Sequence, residues 1–228
     1  MPGPAAPRPR TSGDPVDDRL VEALIAHPPM ARELPAFDPA GAPAEPAGLF
    51  VEWLRGALAA GVPDAQVVTL STVDGDGLPD ARVLVLRDVD TTRAGWVFWA
   101  DADSPKGRQL AGRPAAAMTV YWPALGRQVR IRGEVTAVAA PTALNRSPGA
   151  RAASLVGRQS EPLASAAEYD AAFEAALATD PALPVPGHTV YTLHADSVEF
   201  WQGDPRRRHV RLRYRRGADG WDHTLLWP

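Results

Sequence analysis

Apolar residues in 46–60 (PAGLFVEWLRGALAA) recur at helical spacing. Leu49, Phe50, Trp53, Leu54 and Leu58 fall on one stripe, Pro46 suits a first turn and Gly61 a stop, so the pattern predicts an amphipathic helix. A shorter helix is predicted over 18–27, with Leu20, Leu24 and Ile25 on one face. From residue 66 the period drops to two. Residues 66–73 and 81–89 read as strands around the turn Asp74-Gly75-Asp76-Gly77, and 96–100 reads as a third strand. A short helix is expected at 104–112, a strand pair at 115–122 and 127–138, and three helical pieces across 141–178. Segments 188–202, 208–215 and 221–227 read as a closing meander. About seven strands in succession through short turns predict a mainly β, α+β chain, an antiparallel sheet or barrel with peripheral helices.

Composition narrows the chemistry. The 228 residues contain no cysteine, which excludes a disulfide scaffold, a Cys-zinc site and a cysteine nucleophile. A net charge of -3 argues against a polycation built for nucleic acid. No apolar run approaches the ~20 residues of a membrane helix, and residues 1–16 lack the apolar core of a signal peptide, so a soluble cytoplasmic protein with no membrane partner is expected. Proline-rich residues 1–45 read as a flexible N-terminal arm, 46–187 as the main unit, and 188–228 as a C-terminal hairpin region. Glycine-rich dinucleotide and Walker loops are absent, as is a nucleophile elbow. The five histidines show no metal-ligand spacing.

Four constellations carry candidate chemistry. All but one of the 24 Lys+Arg residues are arginine; the exception, Lys106, stands in Ser104-Pro105-Lys106-Gly107-Arg108. Ser104 suits an N-cap and Pro105 the first helical position, which makes this helix start a candidate phosphate site. The plain alternative is a capped surface helix. In Arg82-Val-Leu-Val-Leu-Arg87, strand alternation puts Arg82 with Leu84 and Leu86, and Arg87 with Val83 and Val85. An arginine in so apolar a strand calls for an anion or a strand end reaching water. In the next strand Gln128, Arg130 and Arg132 stand opposite Val129, Ile131 and Val135, so Gln128 is either a heteroaromatic contact or an ordinary exposed residue. Finally, an extended reading of 206–216 (RRRHVRLRYRR) places Arg207, His209, Arg211 and Arg213 on one cationic face, suited to phosphates or to solvent.

In this order, the 82–87 strand, SPKGRQL, GRQVRIRGEV, GRQSEPL (157–163) and FWQGDPRRRHVRLRY (200–214) resemble the pyridoxamine 5′-phosphate oxidase family, over about residues 46–228. The resemblance implies a homodimeric FMN-binding split β-barrel, with two FMN molecules in the interface held by both subunits. By position it places Arg82 and Lys106 on the FMN phosphate. Gln128, Gln159, Ser160, Trp201 and Arg211 fall on the rest of the flavin, and 98–100 lies on the lining strand. Arg207 and His209 would act on the substrate ring, and Arg87 and Arg146 on its phosphate. The implied reaction is oxidation of pyridoxine or pyridoxamine 5′-phosphate by O2.

The chain departs from the family at several of these positions. The family's substrate-binding Lys is Arg87, its Tyr falls at Thr142, its Ser near Ala150, its phosphate-binding Thr at Ala100 and an Arg at Pro105. SPKGRQL and the Tyr121-Trp122 pair also resemble the phenazine-pathway flavin oxidases of the same superfamily, which act on larger aromatic metabolites. A non-catalytic flavin- or nucleic-acid-binding module is the reading outside enzymology.

Overall fold

The computed structural model describes residues 18–142 and 147–228. Among them are eight strands: β1 (Val67–Val73), β2 (Pro79–Asp90), β3 (Gly95–Asp101), β4 (Ala115–Trp122), β5 (Arg127–Ala139), β6 (His188–Gln202), β7 (Val210–Arg216) and β8 (Trp221–Leu225). They form one antiparallel sheet in the order β3-β2-β1-β4-β5-β6-β7-β8. β3 also pairs with β6, which closes the first six strands into a barrel and leaves β7 and β8 as an extension. The helices are α1 (Asp18–Ala26), α2 (Pro46–Ala59), α3 (Pro105–Gly112), α4 (Pro148–Val156) and α5 (Ala166–Leu177). Two helices, rather than three, therefore fill the described part of 141–178. No helix among the described residues is long and apolar enough to cross a membrane.

β6 makes the split possible. Its first half, His188–His194, closes the barrel against β3, while its second half, Ser197–Gln202, pairs with β7. The two halves meet at a bulge opposite Arg132 and Gly133 of β5. There a Cβ on Gly133 would lie 1.8 Å from the His194 carbonyl oxygen. Gly133→Ala is expected to destabilise the protein by about 1–3 kcal/mol, read as a lower thermal midpoint. An unchanged midpoint would mean the strands do not approach this closely.

Strand register separates the two faces. Leu70 sits opposite Arg82 on one side and Met118 on the other, and the row continues through Ile131, Val198 and Tyr214. All of these except Arg82 are buried, so this is the core row. α2 lays Leu49, Phe50, Trp53 and Ala57 on the core, with Phe50 edge-on to Trp96 and Trp53 edge-on to Phe200. It ends at Gly61 (φ 66), where Val62 N–H donates to Ala57 and Gly61 N–H to Leu58, a glycine-dependent stop.

The described part of the N-terminal arm lies against this unit. Phe37 packs on Trp53, and the Tyr214 hydroxyl donates to the Pro43 carbonyl; burial raises that phenol to about 12. The apolar stripe of α1 behaves otherwise, since Leu20, Leu24 and Ile25 are exposed.

Candidate functional site

A cleft of about 710 Å³ opens between the Arg82 end of β2, the end of β3, the start of α3, and α4 with the loop after it. Arg82, Trp99, Ala100, Asp101, Lys106, Gln159, Ser160 and His188 are among its lining. Of the residues expected to act, it gathers Arg82, Lys106, Gln159 and Ser160.

α3 is capped as its sequence requires: Ser104 Oγ accepts from the Gly107 amide, and Pro105 is the first helical residue. The helix start nevertheless offers little backbone to an anion. Pro105 has no N–H, and that of Gly107 is spent on the cap. Gly107 is glycine for packing, because a Cβ there would lie 2.2 Å from the Ala102 carbonyl oxygen. The anion capacity lies in side chains. Lys106 is only 9% exposed and has no carboxylate within 4 Å among the described residues. Its Nζ donates to Gln159 Oε1 (2.6 Å) and Ser104 Oγ (3.3 Å), which leaves one proton for a ligand. Burial, then the nearby charge of Arg82, pushes its pKa below the usual lysine value.

Arg82 enters from the core row at the barrel mouth. Its Nη1 donates to Thr72 Oγ1 (2.5 Å) and its Nη2 to Asp80 Oδ2 (2.5 Å) and Gln109 Oε1 (3.0 Å). Two cations converge on one wall, and one of them, Lys106, is buried with no carboxylate in ion-pair contact among the described residues, Asp101 acting on it only at longer range. That donor set fits a phosphate monoester, and the cleft has room for the planar group such a cofactor carries.

The remaining expected residues lie elsewhere on the chain. Gln128, Trp201 and Arg211 are cross-strand neighbours on β5, β6 and β7. They alternate with the core row, so they occupy the opposite face of the sheet from Arg82. Arg211 is held there by Glu199 Oε1 (2.8 Å from Nη2, 3.1 Å from Nε) and donates to the Trp227 carbonyl.

Arg207 and His209 precede β7 instead of sharing a strand face with Arg211, which corrects the extended reading of 206–216. Asp204 and Pro205 turn the chain: the Asp204 carboxylate accepts from the Arg206 amide, its carbonyl accepts from the Arg207 amide, and Arg207 sits at φ 66. The His209 ring lies 4.8 Å from Trp201, and its Nδ1 accepts from the Asp204 amide. Arg87, beside a β-bulge in β2, stacks over Trp99 at 4.9 Å and does not line the cleft. Arg146 lies outside the described residues.

Several lining residues escaped the sequence reading. Trp99 forms a flat wall, with Arg87 over its face and His188 edge-on at 5.5 Å. Asp80, Thr72 and Gln109 surround Arg82. Two of these had a signal: Asp80 is two residues from Arg82 on one strand face, and Gln109 is one helical turn beyond Lys106.

Comparison with known proteins identifies relatives of this arrangement. A family model described as pyridoxamine 5′-phosphate oxidase matches residues 54–202. A second, described as the pyridoxine 5′-phosphate oxidase C-terminal dimerisation region, matches 188–228. The chain is 40% identical over 190 residues to a pyridoxine/pyridoxamine 5′-phosphate oxidase of Thermosynechococcus vestitus, covering 81% of this chain and 89% of that one. It is 38% identical over 203 residues to the Burkholderia multivorans protein of the same name, covering 85% and 94%. Among solved structures, PhzG from Burkholderia lata 383, in complex with tetrahydrophenazine-1-carboxylic acid, superposes with a TM-score of 0.80 at 31% identity, covering 86% of this chain and all of that one. A pyridoxamine 5′-phosphate oxidase-related, FMN binding protein from Nostoc punctiforme shares the fold at 23% identity, with a TM-score of 0.67 and coverage of 85% and 99%.

Proposed function

The chain belongs to the pyridoxamine 5′-phosphate oxidase family of FMN-binding split barrels, and we propose that it is a homodimeric oxidase of a reduced aromatic substrate lacking a phosphate. When bound, FMN supplies the chemistry, accepting a hydride from the substrate and passing two electrons to O2 to give peroxide. The protein binds, orients and shields.

Lys106 and Arg82 hold the FMN phosphate in this reading. Gln159 and Ser160 close over the flavin from the loop after α4. Gln128, Trp201 and Arg211 complete the pocket from a second copy, because they face away from the cleft of their own chain. The match of residues 188–228 to a dimerisation region supports that division. Arg207 and His209 of the partner would then reach the substrate, the guanidinium stacking on its ring and the imidazole orienting it.

One observation carries the choice of substrate. Once Arg82 and Lys106 serve FMN, no further Lys or Arg among the described residues lines the cleft. Its α4 wall is Ala150, Ala153 and Ser154, with Ala150 where the family places a serine. Within the described lining of one chain, a second phosphate therefore finds no cation of its own. The likeness to PhzG supports the same reading. The curated relatives' names favour a second one, oxidation of pyridoxine or pyridoxamine 5′-phosphate. Oxygen uptake by the FMN-loaded protein decides between them. We expect kcat/KM for a reduced phenazine carboxylic acid to exceed that for either B6 phosphate by at least about tenfold, the scale of one unmet charge contact. Faster turnover of a B6 phosphate would reverse the assignment.

A further inference from the structure

We propose that Gln109 is a positioning residue which, with Thr72 and Asp80, locks Arg82 into the phosphate site before FMN arrives. The inference rests on the FMN reading and assigns a role to residues that touch no ligand in it.

The network is closed. Gln109 Oε1 accepts from Thr72 Oγ1 (2.5 Å) and Arg82 Nη2 (3.0 Å), while Gln109 Nε2 donates to Asp80 Oδ2 (3.0 Å). Asp80 Oδ2 also accepts from Arg82 Nη2, and Thr72 Oγ1 accepts from Arg82 Nη1. The amide is read in both senses, its oxygen by two donors and its nitrogen by a carboxylate, so only one orientation satisfies all four groups. Leu70 O takes a further contact from Nη1 at 3.3 Å. The terminal nitrogens of Arg82 are thus held by protein, which leaves its Nε–H and its charge to meet the phosphate, and the rotamer entropy of a long side chain is spent before ligand binding.

Placement makes Gln109 the keystone. Thr72 and Asp80 are cross-strand partners on β1 and β2, so they hold Arg82 within the sheet. Gln109 lies on α3, one turn after Lys106. It therefore ties the strand that carries one cation to the helix that carries the other. Without it, Lys106, whose pKa is lowered by burial and then by the charge of Arg82, would face that like charge with this tie between strand and helix lost. Asp80 alone would then hold Nη2 of Arg82, from the side more open to water, and Thr72 would hold Nη1 from the sheet with no tie to α3.

The test is a fluorescence titration of full-length, FMN-stripped protein with FMN and, separately, with riboflavin, which lacks the phosphate. Gln109→Leu is expected to weaken FMN about tenfold and riboflavin less than about twofold, the size of a lost charge-assisted hydrogen bond felt only at the phosphate. Thr72→Val should act in the same direction, and Thr72→Ser should restore wild-type selectivity. In an Arg82→Ala background, Gln109→Leu should have no further effect. If Gln109→Leu does not fold, Gln109→Glu keeps the volume and sets a second carboxylate beside Asp80; it too should lose FMN selectively. Equal losses for FMN and riboflavin, or losses fully additive with Arg82→Ala, would overturn the proposal. A wild-type protein that binds both flavins equally would instead remove the phosphate reading beneath it.

Discussion

Replacing Lys106 with alanine is expected to weaken FMN binding by about 10- to 150-fold, with riboflavin changed less than about twofold. The size follows from how the lysine is kept. It is buried, its ammonium has no carboxylate within 4 Å among the described residues, and its neighbours are a neutral amide and a hydroxyl. Its charge is therefore met only at longer range, by Asp101, until an anion arrives. The pH dependence follows with a definite sign. Burial lowers the Lys106 pKa below 10.5, and a bound phosphate favours the protonated form. FMN affinity should therefore begin to fall at a pH below 10.5, as the free protein's lysine loses its proton, and Lys106→Ala should abolish that step. Stability of the flavin-free protein moves the other way. A lysine with a lowered folded pKa costs stability at neutral pH, and the cost fades as pH rises through that pKa. Lys106→Ala should thus remove this gain in stability toward alkaline pH from the stripped protein, read as a flatter dependence of its thermal midpoint on pH. Equal loss of FMN and riboflavin would show that Lys106 does not meet the phosphate.

Much of the barrel was legible because β1 and much of β6 alternate buried and less buried positions. β4 and β6 begin and end where the apolar pattern changes, and the Asp74-Gly75-Asp76-Gly77 turn forms as read, with Asp74 Oδ1 accepting from the Asp76 and Leu78 amides. The cation pair was legible too: a lone lysine behind a Ser-Pro cap and an arginine in an apolar strand are local anomalies, and both line one cleft. α1 forms where its pattern places it, but the helical periodicity of Leu20, Leu24 and Ile25 says only which residues share a face, not that anything covers them. The 206–216 run misled. Alternating arginines suggested a strand, whereas Asp204-Pro205 is a turn signal that delays β7 to Val210.

The relation between the two halves of the site was not legible at all. Whether Arg82 and Arg211 share a face depends on the register of six intervening or neighbouring strands. No single strand's pattern encodes it. The same holds for the brace on Arg82, in which Thr72, Asp80 and Gln109 come from three elements and meet only once the sheet has closed on α3.

Mixing two defective subunits should restore sites that neither has alone. Lys106→Ala damages the cleft, and Arg211→Ala damages the opposite sheet face, where Glu199 retains Arg130 at 4.0 Å. If each pocket takes its cleft from one subunit and its Gln128-Trp201-Arg211 row from the other, every site in either homodimer carries one lesion. A heterodimer instead has one site with both lesions and one with none. Random pairing of equal amounts then leaves about a quarter of all sites intact, as isologous two-fold assembly requires. Co-expressing the two variants with distinct affinity tags and titrating the purified heterodimer with FMN should reveal one tight site per dimer, where each homodimer shows only weak ones. The same heterodimer should recover oxidase turnover in proportion to its tight sites. A heterodimer with no tight site, or a protein that sediments as a monomer with FMN fully bound, would show that each chain builds its pocket alone. Gln128, Trp201 and Arg211 would then have to be removed from the flavin site, since they lie across the sheet from Lys106 and Arg82 within one chain.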